Sequence, residues 1–174
     1  MRRWTDILTG QASGSVAQRK QVMNIIWVAM TAAVGVYWYV HSVAGVREPN
    51  ASVAFMVTIL AAIAFVEGIG AWVFHRVTLA NISQQVSRAQ LTQLSVETAS
   101  VLEQRLQTTA IICLAMFEAI VVYGLVGSFV GSPYPNTFEW FAGVGLVNLV
   151  IYRFKAYPAI FGLLEQLEKI PYGR

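Results

Sequence analysis

Four apolar runs, long enough or nearly long enough to cross a lipid bilayer as helices, constrain this chain more than any other feature. They cover roughly Asn24 to Gly45, Val53 to Phe74, Thr108 to Val130, and Phe138 to Ile151 with an extension past Arg153. A helix needs about 20 apolar residues to cross the hydrocarbon core. Backbone groups in lipid must be satisfied within the segment, so such runs fold as helices. Of the 174 residues, 56% are hydrophobic and 12% charged, against about 25% charged in soluble domains. The expectation is an all-α polytopic membrane protein with four transmembrane helices. The fourth run has the shortest apolar centre, with Glu139 near its start and Arg153 and Lys155 near its end. Snorkelling of the long basic side chains lengthens it.

The basic residues set an orientation, because positive loops stay on the cytoplasmic side. Arg2, Arg3, Arg19 and Lys20 precede the first run, and Arg76, Arg88 and Arg105 lie between the second and third. Arg153, Lys155, Lys169 and Arg174 follow the fourth, while Arg47 alone falls on the other side. The pattern predicts both termini in the cytoplasm, with short outer loops around "VREPNAS" and "GSPYPNT", and a bacterial inner-membrane location. Met1 to Lys20 contains Arg2, Arg3, Asp6, Arg19 and Lys20 with no apolar core, so a retained first helix is expected rather than a cleaved signal. The net charge of +3 is then an orientation signal. No Lys or Arg cluster accompanies stacking aromatics, so nucleic acid is not an expected partner.

Three divisions follow. Residues 1–23 read as a cytoplasmic lead and residues 24–157 as a four-helix membrane domain, including a cytoplasmic helical hairpin over 76–107. Residues 158–174 read as a C-terminal amphipathic interfacial helix. In the hairpin, Leu79, Ile82, Val86 and Ala89 make one apolar stripe, and Ala99, Leu102 and Leu106 make another. Their Ser-, Gln- and Thr-rich surroundings make the first stripe a candidate partner-binding face. In the tail, Ile160, Leu163, Leu164, Leu167 and Ile170 share a face, with Pro158 suited to a first turn and Pro171 to an end.

Two carboxylates interrupt the apolar runs. Glu67 lies about 12 Å before the inner end of the second, and Glu118 about 15 Å past the start of the third, at 1.5 Å per residue. Asp costs about 2.5–3.5 kcal/mol at a helix centre on insertion scales, and such groups face protein or water. At matching depth on consecutive antiparallel helices, the two could share one proton or hold a cation between them. They could equally serve only as interhelical locks. Small residues around them, including Ala61, Ala64, Gly68, Gly70, Gly124 and Gly127, allow close helix approach.

The string Glu118-Ala119-Ile120-Val121-Val122-Tyr123-Gly124-Leu125-Val126 resembles the ion-binding helix of the c-type proteolipids of rotary ATPases. In that helix a carboxylate followed by Ala, and then Tyr-Gly-Leu-Val, carries the transported proton or sodium ion. The resemblance implies Glu118 as ion carrier, Tyr123 as a supporting hydroxyl and Glu67 as a polar group on the preceding helix. It covers about nine residues. The chain departs from that family in lacking a regular glycine ladder on the partner helix and in a linking segment of about thirty residues. It also places the carrier on the third span.

Other chemistry has little to stand on. Cys113 is a lone cysteine, and His41 and His75 fall at opposite membrane faces, where each is expected to sit at the interface with the belt aromatics Trp27, Tyr37, Trp38, Tyr39, Trp72, Trp140 and Tyr152. No zinc spacing, phosphate loop or nucleophile–base pair occurs, so neither an enzyme nor a cofactor or metal site is expected. The expected function is that of a small integral membrane subunit of a larger homo- or hetero-oligomeric assembly, handling a proton or cation through Glu67 and Glu118. The alternative is a structural or assembly subunit of a secretion, conjugation or respiratory complex, its carboxylates only locking helices.

Overall fold

A computed structural model describes residues 16–44, 48–89 and 95–169, apart from the side chains at 89 and 96. Four long helices account for nearly all of them: α1 (Val16–Ala44), α2 (Ala54–Ala89), α3 (Val96–Phe129) and α4 (Thr137–Lys169). A single 3₁₀ turn, Ala51–Val53, leads into α2, with the Asn50 side chain accepting a hydrogen bond from the Ser52 N–H at 3.0 Å. All four helices are long and apolar enough to cross a membrane. Their outward side chains include Phe55, Phe65, Val66, Trp140 and Phe154, each more than two-thirds exposed. Such a surface is stable only in an apolar medium, and the chain is that of an integral membrane protein.

The helices run up, down, up, down. At one end, the terminal face, lie Val16, Ala89, Val96 and Lys169; the other, the connection face, carries 48–53 and 130–136. The connections are tied to each other by the Asn50 N–H donating to Gly131 O at 2.9 Å. Gly131 adopts φ 84°, a left-handed conformation suited to glycine. α3 and α4 form the central pair, and α1 and α2 flank it on opposite sides, each packed on both central helices and neither touching the other.

Two glycines let the central pair close. A Cβ on Gly145 would fall 2.4 Å from Val121 Cγ2 and 2.9 Å from Phe117 O, and one on Gly124 would fall 2.5 Å from Phe141 Cβ. Small residues at such crossings substitute backbone proximity for the hydrophobic drive that lipid removes. Phe117, Val121, Phe138, Leu149 and Tyr152 complete this core.

The expected tail helix is not separate. α4 runs unbroken through Pro158 to Lys169, although proline cannot donate the hydrogen bond to Phe154 O. The reason is packing on both sides of the proline. Tyr152, Ala156 and Tyr157 before it, and Ile160, Leu163, Leu164 and Leu167 after it, all lie in one core, while Pro158 itself is exposed. The described part of the face assigned to a membrane surface is thus filled by the bundle, and Ile170 and Pro171 lie outside the described residues.

Likewise α1 as described already covers residues 16–23, which belong to the first helix, while residues 1–15 of the expected lead lie outside the described residues. The two hairpin stripes do pack together. Ile82 and Val86 of α2 and Leu102 and Leu106 of α3 are at most 1% exposed, with Leu79 partly buried beside them. α3 starts on a Ser95 cap, whose Oγ accepts from the Thr98 N–H at 3.2 Å, and Glu97 favours the helix N-terminus.

Candidate functional site

Each membrane carboxylate is gripped by a tyrosine from another helix. The Tyr123 O–H of α3 donates to Glu67 Oε1 of α2 at 2.8 Å. On the other side of α3, the Tyr37 O–H of α1 donates to Glu118 Oε1 at 2.8 Å. Glu118 and Tyr123 lie five residues apart on α3, about 140° around the helix at 3.6 residues per turn. That rotation turns Glu118 towards α1 and Tyr123 towards α2. The carboxylates are therefore not a hydrogen-bonded dyad, and each has its own phenol. All four residues are half-buried.

The two sites differ in one respect. Glu67 Oε2 is buried with no hydrogen-bond partner. Asn24 Oδ1 and Thr31 Oγ1 are also buried and unpartnered, but among these three groups only the glutamate can carry a charge. Among the described residues, neither Glu67 nor Glu118 forms an ion pair, and the carboxylates so paired are Glu103 with Arg19 and Glu165 with Lys20. A buried polar oxygen without a hydrogen bond is costly, and Glu67 Oε2 is such an oxygen.

Towards the terminal face lies a second polar layer. The Tyr152 hydroxyl and His75 Nδ1 are 3.0 Å apart, both buried, and the Cys113 Sγ–H donates to Ala71 O at 3.3 Å. The Trp72 Nε1–H donates to Asn148 Oδ1 at 3.0 Å and the Trp27 Nε1–H to Leu149 O at 2.9 Å. Every one of these bonds joins two helices, as polar groups inside membrane bundles commonly do. His75 and Tyr152 are thus core residues rather than interfacial anchors, because each supplies the other's partner.

Of the sequence candidates, Glu67 and Tyr123 are brought together and Glu118 is placed apart from both. Leu79, Ile82 and Val86 are turned into the bundle, where α3 and α4 use their stripe, and the Ala89 side chain lies outside the described residues. His41 lies towards the connection face, stacked on Phe138 with ring centroids 4.5 Å apart. Tyr37 is the residue that sequence reasoning missed. Its signal was a phenol inside an apolar run, which needs a partner when buried, but "VYWYV" also fits an aromatic belt.

Comparison with protein-family models, curated proteins and solved structures gives no match to this chain.

Proposed function

We propose that this protein is a small integral subunit of a larger membrane assembly, and that it takes up and releases a proton or cation at Glu67, with Glu118 as a second carboxyl site. The observation that carries this reading is the buried, unpartnered Glu67 Oε2 beside an Oε1 held by Tyr123. The phenol fixes one oxygen and leaves the other as the place where a proton or a cation is bound. Glu118, with Tyr37, has the same chemistry on the opposite side of α3. In this scheme the two carboxyls act as separate sites. The basic residues of the sequence put both termini in the cytoplasm, and the resemblance of residues 118–126 to c-type proteolipids agrees with ion handling on α3.

A structural reading has its own support, since both tyrosine–glutamate bonds join two helices. Carbodiimide labelling separates the two, because the reagent modifies protonated carboxyls accessible from an apolar phase. Proton exchange predicts adducts at Glu67 that decline as pH rises. A Glu67 that never reacts across the pH range contradicts the proposal and leaves the lock.

A further inference from the structure

Outside the carboxylate sites, a groove within the apolar zone runs between α2 and α4. These two helices touch only lightly, and α3 forms the floor through Ile120. One cavity of about 400 Å³ runs from Ala64 past Gly68 and Trp72 to Arg76. A second, of about 230 Å³, continues it towards Trp140 and shares Ala64, Phe65, Ile120 and Val144 with the first.

The polar groups of the groove gather at its terminal end. Asn148 is already engaged by Trp72 and by its own donation to Val144 O. Arg76 is exposed and has no ion-pair partner among the described residues. Its position along α2 is informative. From Phe55 to Phe74 the helix covers about 30 Å at 1.5 Å per residue, the thickness of a hydrocarbon core. Arg76 therefore stands just past the apolar zone, at headgroup level. From Arg76 back to Ala64 is about 18 Å, little more than the ~15 Å of one leaflet.

We propose that this groove holds one acyl chain of an anionic phospholipid from the leaflet at the terminal face, with the lipid phosphate on Arg76. The lining favours a chain over a transmembrane helix. A helix about 10 Å across and 18 Å long displaces roughly 1,400 Å³, more than three times the first cavity, so it could only lie across the rim. A hydrocarbon chain fits inside, and the guanidinium offers paired donors to phosphate oxygens. Gly68 widens the groove at mid-length, since even an added Cβ would meet nothing nearer than Ile120 Cδ1 at 3.7 Å.

The test uses the full chain in mild detergent, with native mass spectrometry of the first lipid bound. The probes are dioleoyl phosphatidylglycerol and dioleoyl phosphatidylcholine, which differ only in the headgroup. The expected result is about a fivefold preference for phosphatidylglycerol, the ratio corresponding to the ~1 kcal/mol that one basic residue contributes near an anionic surface. Arg76→Gln should abolish the preference, and Arg76→Lys should keep part of it. Val144→Phe, which fills the groove from an exposed position, should lower retention of both lipids. Equal binding of the two lipids by the native chain, or a preference that survives Arg76→Gln, overturns the proposal. So does a dimer of two copies that Val144→Phe disperses, since it would place protein in the groove. Arg76 is exposed, so its variants keep the test decisive even if Val144→Phe perturbs the fold.

Discussion

Replacing Gly145 with alanine tests the packing that positions every polar contact in this bundle. The added Cβ would stand 2.4 Å from Val121 Cγ2 and 2.9 Å from Phe117 O, where carbon atoms normally rest at about 3.5–4.0 Å. The shortfall at Val121 exceeds 1 Å, and neither neighbour yields easily. Val121 is fully buried and β-branched, so its rotamer is fixed in a helix, and Phe117 O belongs to the backbone. α3 and α4 must move apart, at an overpacking cost of about 1–3 kcal/mol. Alanine also gains up to about 1 kcal/mol over glycine in helix propensity, which would mask part of that loss. Gly143 supplies the control, because it lies on the same helix and an added Cβ there meets nothing within 4 Å. Both variants share the propensity gain, so their difference isolates the clash. In equilibrium unfolding from mild detergent into SDS, followed by circular dichroism, Gly145→Ala should be about 1–3 kcal/mol less stable than Gly143→Ala. Equal stabilities would refute the close crossing.

Other outcomes follow from the polar contacts. Tyr152→Phe leaves His75 Nδ1 buried without its partner and should cost about 1–3 kcal/mol, and adding His75→Phe should recover part of the loss in the same unfolding assay. Glu103→Gln removes the charge facing Arg19, with both side chains largely buried. It should destabilise by about 1–3 kcal/mol, and the exchange Arg19→Glu with Glu103→Arg should restore part of it. Tyr37→Phe and Tyr123→Phe should each cost about 0.5–2 kcal/mol, given that interhelical bonds in membranes average well below 2. The two effects should add, because the pairs lie on opposite sides of α3; strong non-additivity in the double variant would contradict separate sites.

The apolar runs made the helix count and the approximate spans legible, since lipid leaves the backbone no alternative. They did not make the extent of α4 legible. Pro158 is a helix breaker by local rule, and only tertiary contacts of Tyr157, Ile160 and Leu164 override it. The stripe of Leu79, Ile82 and Val86 was visible, but periodicity cannot tell an internal partner from an external one. The carboxylates were visible too, and their depth was readable from helix rise. Their rotation was not, because it depends on which neighbour each helix meets. α1 and α2 flank the central pair on opposite sides, and that arrangement sends Glu118 to Tyr37 and Glu67 to Tyr123. The aromatic run holding Tyr37 fitted a belt equally well, so its role emerged only with the packing.

Infrared spectroscopy of the reconstituted protein tests the central claim most directly, since a protonated carboxyl and a carboxylate absorb at separate frequencies. The proposal predicts a Glu67 carboxyl band, identified as the difference between the native chain and Glu67→Gln with the helices intact, that responds to proton or cation exchange. A difference spectrum that lacks such a band, or one whose band never responds, would contradict proton or cation exchange at Glu67.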